Sequence, residues 1–332
     1  MSNLKQLAKS LGLSITTVSR ALDGYSDVSE ATKERVRRAA EKTGYRPNAA
    51  ARRLRRQRAE LVAVPVPSAP GQIGPAHFID MLSDCAEHLA KANINLVIAP
   101  VPRGQSEIEM CRRFVDGERV DAMVLVRTKR QDERVSFLQS RGIPFVSHGR
   151  TESEIPHAFI DGDGFTAFRD AVLRFTGDGH VRIGHVAAPQ NYTFAHLRRM
   201  GWEAGLLAQG LSTELIEVGD PTEHGGYVAA QALMSGHLKP TAILCATDEM
   251  AIGALRALRE VGGEGRVSVI GHDNLPMGAY SVPPLSTMQM TGADFGERLA
   301  SLLLRAIGGE PPENLQEVYP VAFVQRSSHR RA

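Results

Sequence analysis

Leu4-Lys5-Gln6-Leu7-Ala8-Lys9-Ser10-Leu11-Gly12-Leu13-Ser14-Ile15-Thr16-Thr17-Val18-Ser19-Arg20-Ala21-Leu22-Asp23 decides the fold of the first part of the chain. Leu4, Leu7, Ala8 and Leu11 recur at i, i+3, i+4 and i+7, the period of one helical face. Gly12 suits the left-handed backbone of a tight turn. Ser14 can cap a second helix, whose apolar face includes Val18, Ala21 and Leu22. Ala8 is small enough for the helices to cross closely, and the spacing Ala-x3-Gly-x5-Val predicts a helix-turn-helix. In such a unit the second helix enters the major groove. Ile15, Thr16 and Arg20 are then the outward positions, Arg20 for a guanine edge or a phosphate and Ile15 for a thymine methyl. Thr17 and Ser19 are expected on backbone phosphate, which positions without specifying.

A third helix is expected over Glu30 to Thr43, capped by Ser29, with Val36, Ala39 and Ala40 apolar and Gly44 ending it. Then follows Tyr45-Arg46-Pro47-Asn48-Ala49-Ala50-Ala51-Arg52-Arg53-Leu54-Arg55-Arg56. Pro47 ends any preceding helix and Asn48 can cap a new one, but the segment is too short and too charged to be a stable helix alone. Charge marks the same boundary. Residues 1–60 carry 14 Lys and Arg against 6 Asp and Glu, whereas the remainder carries 25 against 31. A basic arm on an acidic body is the electrostatic outline of a nucleic-acid binder.

The other bounds are those of an ordinary folded protein. The chain has 332 residues, enough for two or three folded units, with 42% hydrophobic and 23% charged residues. No apolar run approaches a membrane span, and no basic segment followed by an apolar run opens the chain, so a cytoplasmic protein is expected. Cys85, Cys111 and Cys245 have no metal or disulfide spacing and read as small buried side chains.

From about Glu60 apolar strands alternate with amphipathic helices. Strands are expected near Leu61–Val66, Asn95–Ala99, Ala122–Val126, Pro144–Ser147, Ile183–Ala187, Ala242–Cys245 and Ser268–Gly271. This alternation argues parallel sheets with crossover helices, and about 270 residues of it suggest two lobes.

Val18-Ser19-Arg20-Ala21-Leu22, Gly44-Tyr45-Arg46-Pro47-Asn48 and Ala50-x3-Leu54 resemble the headpiece of the LacI/GalR family of bacterial transcription regulators. The body is similar to that family's core through Gly179-His180-Val181-Arg182-Ile183-Gly184, Arg198-Arg199-Met200-Gly201-Trp202, Thr247-Asp248-Glu249-Met250 and Ser268-Val269-Ile270-Gly271-His272-Asp273. The resemblance implies an all-α helix-turn-helix headpiece joined to an α/β two-lobed, periplasmic-binding-protein-like core of two parallel-sheet subdomains. The implied domains are a DNA-binding unit at 1–46, a hinge helix or linker at 47–59, and an effector-binding and dimerisation core at 60–332. Its first lobe would span about 60–160 and 291–318, its second about 161–290 and 319–329.

In that family the hinge becomes helical only on operator DNA, in the minor groove. The resemblance places Asn48, Ala51, Arg52, Leu54 and Arg55 there, with Leu54 as a wedge that unstacks a base step. The basic linker predicts marked salt dependence. The implied ligand lies between the lobes, at the carboxyl ends of strands. Family position nominates Arg198 and Asp273, a fork and a carboxylate able to hold several sugar hydroxyls. Thr247 and Asp248 could line the site or cap a helix. Asp161, Arg127 and Arg150 follow strands and could face the cleft. Phe78, Tyr192 and Phe194 could stack on a ring or pack in the core. Two departures stand out: Gly74-Pro75-Ala76-His77-Phe78 replaces the family's frequent Asn-Pro-Phe-Phe, and Met290 stands where a polar residue often reaches ligand.

Enzymatic signatures are missing. Asp161-Gly162-Asp163-Gly164 lacks the later residues of a calcium loop, and no metal-spaced His pair, nucleophile elbow or phosphate loop occurs. The expectation is a cofactor-free, homodimeric repressor of a pseudo-palindromic operator, controlled by a small carbohydrate. Arg127-Thr128 and His148-Gly149-Arg150 resemble segments of glucoside-responsive members and point to an α-glucoside or related oligosaccharide. The alternative is a corepressor-type regulator responding to a purine-like or other small metabolite. The C-terminal residues carry no heptads, so a dimer without a tail-mediated tetramer is expected.

Overall fold

A computed structural model describes residues 3–23, 25–45, 59–67, 76–102, 104–292 and 294–330. The chain divides into two units, Met1–Ala59 and Glu60–Ala332. The first holds α1 (Leu4–Leu11), α2 (Ile15–Leu22) and α3 (Glu30–Thr43). Local chemistry sets each end. The Asn3 side chain accepts from the Gln6 amide, Ser14 from Thr17 and Ser29 from Thr32. Gly12 and Gly44 both close their helices at φ 64°. Leu7, Ala8, Val18, Ala21, Val28, Val36 and Ala40 form the core of this small unit.

The second unit opens with β1 (Leu61–Pro67), α4 (Ala76–Lys91), β2 (Asn95–Val101), α5 (Glu107–Asp116), β3 (Ala122–Leu125), α6 (Glu133–Ser140), β4 (Phe145–His148) and β5 (Ala158–Gly162). Then come α7 (Gly164–Gly177), β6 (Ile183–Ala187), α8 (Thr193–Ala208), β7 (Ile216–Val218), α9 (Glu223–Ser235), β8 (Ala242–Cys245), α10 (Asp248–Glu260), β9 (Ser268–Ile270) and α11 (Pro276–Ala279). β10 (Thr287–Met290), α12 (Phe295–Ile307), β11 (Gln316–Tyr319) and β12 (Val321–Val324) complete it.

The first lobe is a six-stranded parallel sheet in the order β11-β5-β4-β3-β1-β2. The second is a four-stranded parallel sheet, β7-β6-β8-β9, beside the antiparallel pair β10-β12. Each large sheet is covered on both faces. Leu82 and Leu303 lie in the cluster on one side of the first sheet, Ile108 and Leu138 in that on the other. Burial on both faces explains why β3 and β8 are unbroken apolar runs. α9 and α10 cross so closely that a Cβ on Gly253 would overlap the Glu223 carbonyl oxygen. β11 returns to the first sheet after the second lobe is built, so the two lobes share several chain crossings. The sequence reading omitted β7, α11, α12, β11 and β12. The three short strands, three to four residues each, contain no buried residue and are too short for a period to be read.

Cys85, Cys111 and Cys245 are free and buried. Burial pushes the Cys85 and Cys111 thiols up to about 12, which leaves them inert. Among the described residues no helix is long and apolar enough to cross a membrane.

Candidate functional site

Two surfaces gather the residues singled out by sequence. The first is α2 of the N-terminal unit. Ile15 is 46% exposed and Thr16 is exposed, so both lie on the outward face. Thr17 is half-buried, with its hydroxyl 2.8 Å from that of Ser14, where it completes the cap. Arg20 points outward and pairs with Asp27, Nη2 to Oδ2 at 2.6 Å. Ser19, expected on backbone phosphate, is only 6% exposed, and its hydroxyl faces the Asp23 carboxylate. α2 packs against both α1 and α3, so its buried arc takes in Val18, Ser19 and Ala21. Asn48, Ala51, Arg52, Leu54 and Arg55 lie outside the described residues.

The second is a cleft of about 370 Å³ in the Glu60–Ala332 unit, walled by residues from both lobes. Phe78, Arg127 and Asp161 line it from the first lobe, and Tyr192, Phe194, Arg198, Thr247 and Asp273 from the second. Its position follows from the topology: the wall is made where parallel strands end and helices begin.

Arg198, on α8, is a charged group held by several contacts. Its side chain is 12% exposed, Nη2 lies 3.5 Å from Asp273 Oδ1, and Nη1 donates to the Ala246 carbonyl. Its guanidinium carbon sits 5.0 Å from the centre of the Phe194 ring. Burial lowers its proton affinity, while Asp273, Asp161 and Asp248 pull the other way. The buried Nε has no protein partner among the described residues. Asp273 holds φ 115°, Asn274 φ 51° and Arg127 φ 50°, so three left-handed non-glycine residues line one cleft. Such strain persists only where the surroundings impose it. Around Asp273 the constraint is the His272 ring, Nδ1 to Oδ1 at 2.8 Å, and the amide of Asp273 itself, bonded to the Met288 carbonyl. Around Arg127 it is the buried Arg134, which donates to the Val126 carbonyl at 3.0 Å and pairs with Asp132 at 2.6 Å and with Glu107.

Thr247 fills both roles foreseen for it: it lines the cleft, and its hydroxyl accepts from the Met250 amide as the cap of α10. Asp248 is not the cap. It is fully buried beneath the site, where it accepts from the Leu275 amide at 2.7 Å and bonds the Thr287 hydroxyl. Burial, reinforced by Asp273, pushes its carboxyl up to about 7. Asp161 lies within β5 rather than after it, and lines the cleft. Arg150 is not among the residues that line the cleft; its Nε donates to Asp161 Oδ2 at 2.6 Å, so it supports a carboxylate that does. Tyr192 and Phe194 stack on each other at 5.7 Å and pack on the second lobe's core while still lining the cleft. Met290 gives an apolar patch of wall, and Trp202 is wholly buried behind the site.

Glu249, His272, Asn274, Gln289 and Phe295 also line the cleft and were missed. Adjacency to Asp273 was an available signal for His272 and Asn274. Gln289 arrives on β10 and Phe295 on α12, and no local pattern marks either residue as facing the cleft. Among the described residues no cluster of three potential metal ligands occurs.

Comparison with known proteins agrees with this geometry. Residues 3–48 match the family described as bacterial regulatory proteins, lacI family, and residues 172–329 match the periplasmic binding protein-like domain. The HTH-type transcriptional regulator RafR of Escherichia coli is 32% identical over 330 residues, 98% of each chain. AglR of Rhizobium meliloti, another HTH-type transcriptional regulator, is 36% identical over 98% of this chain and 94% of its own. Among solved structures, a complex of the transcriptional regulator CelR with cellobiose superposes with TM-score 0.74 at 28% identity, covering 99% of this chain and all of that one. The lac repressor dimer bound to operator shares the fold, with TM-score 0.81 at 24% identity over 99% of both chains.

Proposed function

The chain belongs to the lacI family of bacterial regulatory proteins, and from that premise we propose that it is a homodimeric repressor released from its operator by an uncharged oligosaccharide. In this reading residues 1–46 read the major groove, residues 47–59 form the hinge, and residues 60–332 bind effector and dimerise. An α-glucoside or related sugar is the proposed effector.

The observation that carries the reading is the meeting of Arg198 and Asp273 in a confined cleft flanked by aromatic rings. A guanidinium fork offers several donors and a carboxylate only acceptors, so together they satisfy vicinal hydroxyls, each of which both donates and accepts. Charge in the wall supports a neutral ligand. Arg127 and Arg198 face Asp161, Asp273 and Glu249, so a phosphate or nucleotide anion would meet carboxylates without a cationic excess. CelR, whose complex holds cellobiose, is a relative consistent with this class.

Control follows from differential affinity. The effector draws the lobes together and favours an arrangement in which the paired hinges separate and lose their grip. A tenfold preference for that arrangement contributes about 1.4 kcal/mol, and useful induction needs more. The test is calorimetry with a panel of glucosides and galactosides, followed by operator binding with and without the sugar that binds. One sugar is expected to bind and weaken the operator complex. No binding across the panel would refute the sugar class, and tighter DNA binding would favour a corepressor. Light scattering is expected to show a dimer; a stable tetramer would contradict it.

A further inference from the structure

In the N-terminal unit the base-reading candidate Arg20 is not a free side chain. Its Nη2 lies 2.6 Å from Asp27 Oδ2, and its guanidinium carbon stands 4.9 Å from the centre of the Tyr25 ring. All three side chains remain about half exposed, so this is a surface constellation beside Ile15 and Thr16 rather than a core bridge.

The turn that carries Tyr25 and Asp27 is itself anchored. The Tyr25 amide donates to the Arg20 carbonyl at 3.1 Å, and the Val28 amide to the Tyr25 carbonyl at 3.3 Å. Val28 is buried in the core of the unit, and Ser29 caps α3. Asp27 is therefore delivered by backbone geometry, one residue from a buried anchor. An exposed ion pair between mobile side chains contributes little to stability. A carboxylate beside a reading face also repels phosphate. Its presence there calls for another use.

We propose that Asp27 is a positioning residue for base recognition. It holds one edge of the Arg20 fork and, with the Tyr25 ring below, presents the remaining donors to a guanine edge. The fork is planar and rigid, so fixing one edge fixes the other. A guanine offers two acceptors, N7 and O6, that match two parallel N–H groups. A phosphate also matches, and an untethered Arg20 would turn to phosphate on any sequence. Asp27 thus gives up sequence-independent affinity and gains discrimination. The inference rests on α2 as the groove-facing helix.

The test is selection by the full-length protein from a randomised duplex library, with wild type, Arg20→Ala, Asp27→Ala, Asp27→Asn and the Arg20→Ala/Asp27→Ala double variant. Wild type is expected to select a motif with one guanine in each half-site that Arg20→Ala ceases to require. Asp27→Ala and Asp27→Asn should lose about tenfold of the preference at that same base pair and keep the others. On an unselected duplex, Asp27→Ala should bind more tightly than wild type, with a salt slope steeper by about one per headpiece. The double variant should match Arg20→Ala. Wild-type preference at that pair in Asp27→Ala overturns the proposal, and so does an equal loss at every position, which would mean a merely structural role. If Arg20→Ala changes no position, the placement of Arg20 on a base fails first and takes the proposal with it.

Discussion

The backbone amide of Thr193 donates to the carbonyl of Thr128 at 3.1 Å, tying the first residue of α8 to the segment that follows β3 in the other lobe. Beside it the Arg130 amide donates to the Asn191 carbonyl at 2.9 Å, and Lys129 and Tyr192 form an antiparallel bridge. Arg127, Thr128 and Tyr192, which flank this staple, all line the cleft. The lobes are therefore joined by main-chain bonds at the edge of the cleft.

Thr193→Pro tests that staple with little damage to α8. Proline is favoured at the first helical position, and Tyr192 already has φ −80° and ψ 134°, which a following proline accepts. The substitution removes the donor and sets a methylene against the Thr128 carbonyl in place of the amide hydrogen. Loss of one hydrogen bond, about 1 kcal/mol, corresponds to about fivefold in affinity. Calorimetry is expected to show effector binding weakened at least that much, with an unchanged circular dichroism spectrum. Undiminished affinity would mean that the staple does not contribute to closure.

Arg198→Ala leaves the Asp273 carboxylate facing the cleft without its fork. Truncating one partner of a buried, hydrogen-bonded charge pair costs about 2–5 kcal/mol. Effector affinity should fall by about 100-fold, while operator binding by the effector-free protein persists. A normal response to effector in a gel-shift assay would remove Arg198 from the site.

Asp248 makes stability pH-dependent in a stated direction. Its folded pKa of about 7 lies above the ordinary 3.8, so between these values the native state keeps a proton that the unfolded chain has lost. Its contribution is full below about pH 4 and is lost as pH rises through 7. Buried His157 and His185, lowered to about 4, act oppositely between about pH 4 and 6.5. The readout is therefore a difference. Asp248→Asn mimics the protonated acid, accepting from Leu275 and donating to Thr287. Its Tm relative to wild type should rise between pH 5 and 8. A constant difference would show that Asp248 is ionised throughout.

Leu54→Ala probes the hinge, which lies outside the described residues. Removal of the wedge should weaken operator binding by about tenfold or more, since unstacking a step then has no apolar compensation. Effector affinity should be intact. Unchanged operator affinity would refute the wedge assignment.

The N-terminal unit was legible in sequence because its determinants are local. A cap at Ser14 or Ser29, a left-handed stop at Gly12 or Gly44, and apolar side chains three and four apart act within one or two turns. The sequence alone could not turn Ser19 inward, because that depends on α2 being packed from two sides. The body's class was legible for a related reason: strands buried on both faces are continuous apolar runs. The cleft was not. Residues 75 positions apart, Arg198 and Asp273, face each other because β6, β8 and β9 lie side by side in the order the sheet imposes. That order also sets Arg150 behind Asp161 and brings Gln289 and Phe295 to the wall. By itself the sequence determined the two units, the helix-turn-helix and several of the charged and aromatic side chains that line the cleft. Which of those groups meet was decided only by tertiary structure, because contact between distant segments depends on sheet order and packing rather than on local period.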